Sequence, residues 1–485
     1  MASQPTTRWQ VSGYRFLMRR MEHALVRRDV RMVHDPMRSQ SRSLMVGAVI
    51  ACLVLAGCAA LALFRPQDKI GNAELVVGRD SGALYVAIDG TFHPAMNLAS
   101  ARLVLDDPVE PTVVADEELE ARPRGPLVGI PGAPSSLAYV GHDTPWTVCD
   151  TVDSGGRQFV TTAVSAGVPE YSGVGGPLDD DEALLITSEG EFHLVYGDGR
   201  AEIDPQDRAL TRVLGLDLGS ARPVGAGLLA ALPELPELTA PDIPDAGSIP
   251  RVPIGGLRVG SVVGLAEPNG QRYYVVLSDG VQEVSSATAQ IIHTSDSQGI
   301  AEIPIVPPDT LADAPTVQHL EVGTFPTVVP TILGPADRPV GCLTWEPEAG
   351  PEDQRRSGLV LSAGEALPIA EDAIPVEPAQ ADGPGPNVDA VHIPPGRGTF
   401  VQTTSVVPDS ERRGALFYVA DTGVRYGVAD AEAARALGLE GDPARAPWQI
   451  IGLLAPGPSL GHAEALLAHD GVAPDPRPGP IGAGE

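Results

Sequence analysis

Residues Leu44–Phe64, LMVGAVIACLVLAGCAALALF, run for 21 positions without a charged or strongly polar side chain. At about 1.5 Å per residue, a helix of that length crosses a hydrocarbon core of about 30 Å. The upstream residues 1–43 hold nine Arg against Glu22, Asp29 and Asp35, a net of +6; the whole chain is −30, so the remainder carries −36. Arg on the near flank and acid on the far side predict a cytoplasmic N-terminus and an exterior C-terminal region. A cleaved signal peptide would have a far shorter basic region and an apolar run of about 7–15 residues, so the span reads as a retained anchor. Leu55-Ala56-Gly57-Cys58 spells a lipobox, but a lipobox closes the apolar region and here AALALF continues it. Gly57 and the surrounding Ala read instead as a surface for close helix packing in the membrane.

The acidic remainder argues against nucleic-acid binding, which rests on Lys/Arg contacts to phosphate. A chain of 485 residues exceeds one ordinary domain. With only 4% aromatic residues, its cores must come from Ala, Val, Leu and Ile in several small modules.

The basic foot is patterned. From Gly13 to Val30, Tyr14, Leu17, Met18, Met21 and Leu25 recur at three- and four-residue spacing, with Arg15, Arg19, Arg20, Arg27 and Arg28 mostly elsewhere. Such a helix suits two compatible roles: lying on the anionic inner leaflet, or docking a cytosolic partner.

Beyond residue 70 the chain repeats itself. Ala83-Leu-Tyr-Val-Ala-Ile-Asp89-Gly90, Phe192-His-Leu-Val-Tyr-Gly-Asp198-Gly199, Tyr273-Tyr-Val-Val-Leu-Ser-Asp279-Gly280 and Leu416-Phe-Tyr-Val-Ala-Asp421-Thr-Gly423 each run an apolar strand into an Asp-Gly or Asp-Thr-Gly turn. A second extended piece follows each turn, which predicts a β-hairpin. Helical runs come next: 287–292, 431–439, 205–214, and one after Asn97, a capping residue. The pattern is four α+β modules, too unevenly spaced for a regular solenoid.

Between modules lie the Pro/Gly-rich runs Pro123–Pro134 and Phe325–Pro335, each leading to a Cys beside a Trp: Trp146-Thr-Val-Cys149 and Cys342-Leu-Thr-Trp345. Cys52 and Cys58 lie within the span, so Cys149 and Cys342 are the exterior pair and read as a disulfide; two unpaired buried thiols are the alternative. The mirrored order sets each Trp against the other if the strands are antiparallel. Both segments, runs included, are expected to share one central β module. The divisions are a basic cytosolic segment (1–43), the transmembrane helix (44–64), repeat one (70–110), the central domain's first part (111–182) and repeat two (183–232). A Pro-rich connector (233–254), repeat three (255–300), the central domain's second part (301–365), a loop-rich connector (366–398), repeat four (399–470, with a short helix after Ser459) and a tail (471–485) complete the chain.

Catalytic signatures are missing. There is no G-x-x-x-x-G-K-[ST] loop, and Lys69, the sole lysine, sits beside the span. Asp153-Ser154-Gly155-Gly156 and Asp80-Ser81-Gly82 look like the surroundings of a serine nucleophile, but no motif marks a His as the base, and Gly-rich turns account for both. No zinc spacing occurs, and the acidic run Asp179–Glu182 lacks EF-hand spacing, so it reads as a solvated loop. No metal or catalytic residue is expected, cofactor-binding residues are unknown, and the balance leans away from an enzyme.

Several strings together resemble the EccB family, membrane components of the type VII (ESX) secretion system of actinobacteria: WQVSGYRFLMRRMEHAL, DSGALYV…NLASARL, PRGPLVGIPGAP, DTGVRYGV and PGPSLGHAEALLAHD. The resemblance covers nearly the whole chain. It implies one transmembrane helix and an elongated periplasmic region of repeats around a disulfide-bearing centre. It also implies a scaffold role at the inner membrane, as a homodimer or higher oligomer, with the EccC motor ATPase, EccD, EccE and the mycosin protease. The family is often labelled ATPase, so ATP enters by that label alone, in tension with the absent P-loop. A nucleotide hydrolase and a stand-alone cell-wall-binding anchor are the alternative functions.

Overall fold

A computed structural model describes residues 7–28, 36–64, 70–141, 143–153, 159–267, 270–348, 356–383 and 385–473. Two compact units divide it, Met1–Lys69 and Ile70–Glu485.

In the first unit a helix spans Arg8–Arg27, opened by the Gln10 side chain accepting the Thr7 N–H at 3.0 Å. It ends at Arg28, whose backbone turns left-handed (φ 56°) and donates to the Ala24 carbonyl. The helix therefore starts before Gly13 and stops short of Val30, which lies outside the described residues. A second helix, Pro36–Phe64, contains the apolar stretch Gln40–Ala60, long and apolar enough to cross a membrane. It begins inside the segment read as cytosolic, and Pro36 suits a first helical position, where no amide hydrogen is needed.

The second unit is mixed α+β. Each repeat is richer than a hairpin and helix: a three-stranded antiparallel meander, a helix, and a short return strand parallel to the first. Repeat one runs Leu75–Gly78, Leu84–Ile88, Thr91–Pro94, helix Leu98–Leu105, return Thr112–Val114. Repeat three follows the same order with Val262–Glu267, Gly270–Val276, Val281–Val284, helix Ser286–Ser295 and return Ile305–Val306. Repeats two and four match it through helices Arg208–Val213 and Ala431–Leu437 and returns Arg222–Pro223 and Ala444–Pro447. The missed first strands, such as Leu75–Gly78, take their identity from pairing with the strand that follows. A parallel return needs a crossover, and the helix supplies it. Repeat one consequently extends past 110 to Val114.

The central sheet is six-stranded, with Trp146–Asp153 and Val340–Pro347 paired antiparallel at its middle. Connector 366–398 contributes the edge strand Ala390–His392, and connector 233–254 lends Glu234–Leu235 to the repeat-two sheet. The Pro/Gly runs do not join the central sheet, contrary to expectation. The first packs Val128, Ile130 and Ala133 into the core shared by repeats one and four, and the second pairs Thr331–Ile332 with the first strand of repeat two. The terminal helix is one turn, His462–Ala465, followed by Ala468–His469 paired with Leu127–Val128. Residues 474–485 of the tail lie outside the described residues.

Three apolar cores set the packing order. Leu75, Val86 and Leu103 of repeat one share a core with Phe400, Tyr418 and Leu437 of repeat four. Val401 and Val419 of repeat four share another with Trp146, Leu343 and Trp345 of the centre and with Ile186 and Val195 of repeat two. Ile203 and Leu210 of repeat two meet Ile291 of repeat three. The sequence of contacts is thus one–four–centre–two–three.

Candidate functional site

The features that hold the modules together are the candidate site. Cys149 and Cys342 form a disulfide, Cα–Cα 4.1 Å, across the middle of the central sheet. The register puts Cys342 opposite Cys149 and Trp345 opposite Trp146, as the mirrored motifs require, and both Trp are fully buried. The closed loop spans 193 residues and contains repeats two and three entirely.

One residue along the same strand, Asp150 points to the opposite face, as strand alternation dictates. It is fully buried. Its Oδ1 accepts from the Thr162 hydroxyl at 2.8 Å and its Oδ2 from the Gly225 N–H at 2.7 Å, at the start of the short helix Ala226–Ala231 beyond repeat two's return strand. Arg222, on that return strand and 1% exposed, donates to the carbonyls of Pro339 (2.7 Å) and Arg338, just before the Val340–Pro347 strand. The central sheet and repeat two are therefore tied in both directions. Burial pushes the Asp150 carboxyl up to about 6, although Thr162, Gly225 and the Arg222 charge pull it back. Burial likewise pushes Arg222 down to about 10, opposed by Asp150.

A second tie joins repeats one and four. Arg102, 8% exposed on the Leu98–Leu105 helix, donates to Leu437 O at 2.9 Å, at the end of repeat four's helix, and to Val109 O at 3.3 Å. Its ion pair with Glu110 at 2.7 Å contributes little, because Glu110 is 81% exposed. At the head of the same helix, Asn97 caps Ser100 N at 2.8 Å and donates to Ile130 O of the Pro/Gly run. Asp150 and Arg222 belong to no motif, and Arg102 lies in the NLASARL string, which by itself assigns it no role. A charged residue inside an apolar strand or an Ala-rich helix was the only signal available.

The four repeat turns lie in four separate sheets and are not alike. Asp89 (φ 49°) and Gly90 (φ 79°) make the expected two-residue turn. In repeat two the turn is Gly197-Asp198, and Gly199 already belongs to the next strand, where a Cβ would sit 2.5 Å from Pro233 O. Asp279 faces His319 Nε2 at 3.2 Å, and a Cβ on Gly280 would meet Pro315 O at 2.2 Å, so close approach rather than positive φ requires glycine there. Asp421 accepts from Gly396 N–H at 2.7 Å, and Gly423 has φ 81°.

On the N-terminal helix, Arg15, Arg19, Arg20 and Arg28 are exposed, as are Trp9, Tyr14, Leu17, Met21 and Leu25; the side chain of Arg27 lies outside the described residues. Ser81 bonds to Asp116 and Gly82 has φ 64°, the geometry of a turn, while Ser154, Gly155, Gly156 and Lys69 lie outside the described residues. In the acidic run, Glu182 folds back to accept from Asp179 N–H at 3.1 Å.

Known proteins are similar to this chain over most or all of its length. Residues 3–474 match the family described as type VII secretion system ESX-1, transport TM domain B. The ESX-3 secretion system ATPase EccB3 of Mycolicibacterium smegmatis is 40% identical over 97% of this chain and 92% of its own length. The ESX-1 secretion system ATPase EccB1 of Mycobacterium tuberculosis is 39% identical over 100% and 99%. Among solved structures, a chain of an intact ESX-5 inner membrane complex superposes with TM-score 0.75 at 34% identity, covering 100% of this chain and 99% of that one. A chain of the EccB3 dimer from the ESX-3 core complex gives 0.70 at 35% identity, over 81% of this chain and 100% of that one. A span, four repeats and a disulfide-clasped centre, matched along nearly their full length by these relatives, mean that the chain belongs to the EccB family of type VII (ESX) secretion-system membrane components.

Proposed function

We propose that this chain is a single-pass scaffold subunit of an ESX inner-membrane secretion complex, stabilising the assembled channel. The observation that carries the reading is the full-length likeness to a chain of an intact ESX-5 inner membrane complex. The basic foot stands on the cytoplasmic side, favoured by its net charge of +6, and residues 70–485 stand in the periplasm, where a disulfide persists. The exposed apolar and Arg faces of the Arg8–Arg27 helix dock cytosolic or membrane partners, for which the resemblance to the family suggests EccC, EccD and EccE, with mycosin outside. Self-association is supported by the EccB3 dimer.

A hydrolase reading is favoured by one observation: the relatives' names carry ATPase. It has no Walker lysine to build on, since the sole lysine is Lys69. Mild-detergent extraction of native membranes, a native gel and mass spectrometry of the band test the scaffold reading. Co-migration with a motor ATPase and multi-span proteins is expected; a lone monomer or dimer would overturn it.

A further inference from the structure

Where the repeat-four turn lands on the edge of the central sheet, a groove of about 450 Å³ opens. Val391 and Ile393, both buried, form part of its wall, Ile374 (88% exposed) and Val376 (43% exposed) an apolar strip, and Asp372 and Asp421 its carboxylates. The turn is seated tightly, since a Cβ on Gly423 would sit within about 3.0 Å of the Val391 side chain. Val376 exchanges both backbone hydrogen bonds with Val391 (2.7 and 2.8 Å), and Pro375 restricts the strip further, so the apolar surface is ordered before anything binds. Asp421 uses Oδ2 to hold Gly396 N–H, which leaves Oδ1 for a ligand.

The charge selects the occupant. The segment Ala370–Pro378, AEDAIPVEP, carries three carboxylates and no basic residue, and Asp421 adds a fourth from across the groove. Arg397 is the cation next to Gly396 in sequence, and His392 lines the wall. An anionic glycan or lipid headgroup would meet net repulsion here, and a small inorganic cation would leave the Ile374–Val376 strip in water. We propose that this groove binds an extended peptide segment of a partner protein, in which Arg or Lys stands next to an aliphatic side chain. The aliphatic group covers Ile374 and Val376 while the cation reaches Asp372 and Asp421. The proposal stands apart from the secretion reading, because peptide binding is measurable whatever complex the chain enters.

The test uses the full chain in detergent micelles and a fluorescent probe, acetyl-Gly-Arg-Leu-Arg-Val-Gly-amide, followed by anisotropy, with a Glu-for-Arg peptide as control. Saturable binding of the basic peptide alone is expected. Asp372→Asn and Asp421→Asn together should weaken it by about threefold to tenfold, and Ile374→Ser by about tenfold. Ile374 and Asp372 are exposed, and the amide oxygen introduced by Asp421→Asn still accepts from Gly396 N–H, so thermal melts of these variants should match the parent. Equal binding of the Glu peptide, no saturable binding, or unweakened variants with parental melts would each overturn the proposal. A photo-crosslinker at position 374 in native membranes supplies a second readout. Attachment to a basic–aliphatic segment of another protein supports the groove's role, and attachment to lipid, glycan or a second copy refutes it.

Discussion

At the scale of the residue, Asp150 gives the fold a pH dependence in the acidic range. Its carboxyl titrates near 3.8 when unfolded and about 6 in the fold. The folded protein therefore binds the proton more tightly than the unfolded chain. The resulting contribution to stability is fully present below about pH 4 and is lost as pH rises through about 6. Melting temperatures of the full chain and of Asp150→Asn, measured across that window, should separate in favour of the parent as pH falls. The expected span is on the order of 3 kcal/mol for a two-unit shift; a difference that stays flat with pH would remove Asp150 as the titrating group. Glycines give a second residue-scale contrast. Gly90 (φ 79°) opens onto free space, whereas Gly423 (φ 81°) also abuts Val391. Gly90→Ala should cost about 1 kcal/mol and Gly423→Ala distinctly more, by chemical denaturation, because strain and overlap act together only at Gly423.

At the scale of the element, the disulfide and the first helix do separate work. Cys149→Ser opens a 193-residue loop and should lower stability by up to about 5 kcal/mol in the chain-entropy picture. Melting that is the same with and without reductant, in parent and variant, would contradict that. The Arg8–Arg27 helix belongs to a different compact unit, so reversing Arg15, Arg19, Arg20, Arg27 and Arg28 to Glu should reduce the yield of assembled complex. The melt of residues 70–485 should persist. A normal complex yield on a native gel would count against docking through this helix. The hairpins, the Asn97 cap and helices such as Ser286–Ser295 were legible because each rests on a local pattern. The first strand of each repeat was not, since a four-residue apolar run such as Leu75–Gly78 gains its identity only from the strand beside it.

At the scale of the whole molecule, neighbours in sequence are not always neighbours in packing. Repeat one leans on repeat four, through a shared core and through Arg102 on Leu437 O. Truncating the chain after Gly396 should therefore uncover Leu75, Val86 and Leu103 and unfold repeat one, while repeats two and three keep their shared core. Hydrogen exchange read separately over 98–105 and 286–295 would check this: fast exchange in the first and protection in the second is expected, and protection in both would disprove the packing order.

The anchor, the four turns with their helices and the cysteine pairing came from the amino-acid order alone. Each depends on hydrophobic run length, local periodicity or the small number of available thiols, and such signals survive without knowledge of distant contacts. Tertiary structure decided which repeat meets which, and it alone sent the Pro/Gly runs to the repeat pairs. It also made Asp150, Arg222 and Arg102 into ties between modules and opened the acidic groove beside Ile374. The physical reason is that apolar faces built from Ala, Val, Leu and Ile carry no address for one another. Only shape and the hydrogen-bonding demand of buried polar groups, expressed once the chain is folded, choose among near-identical partners.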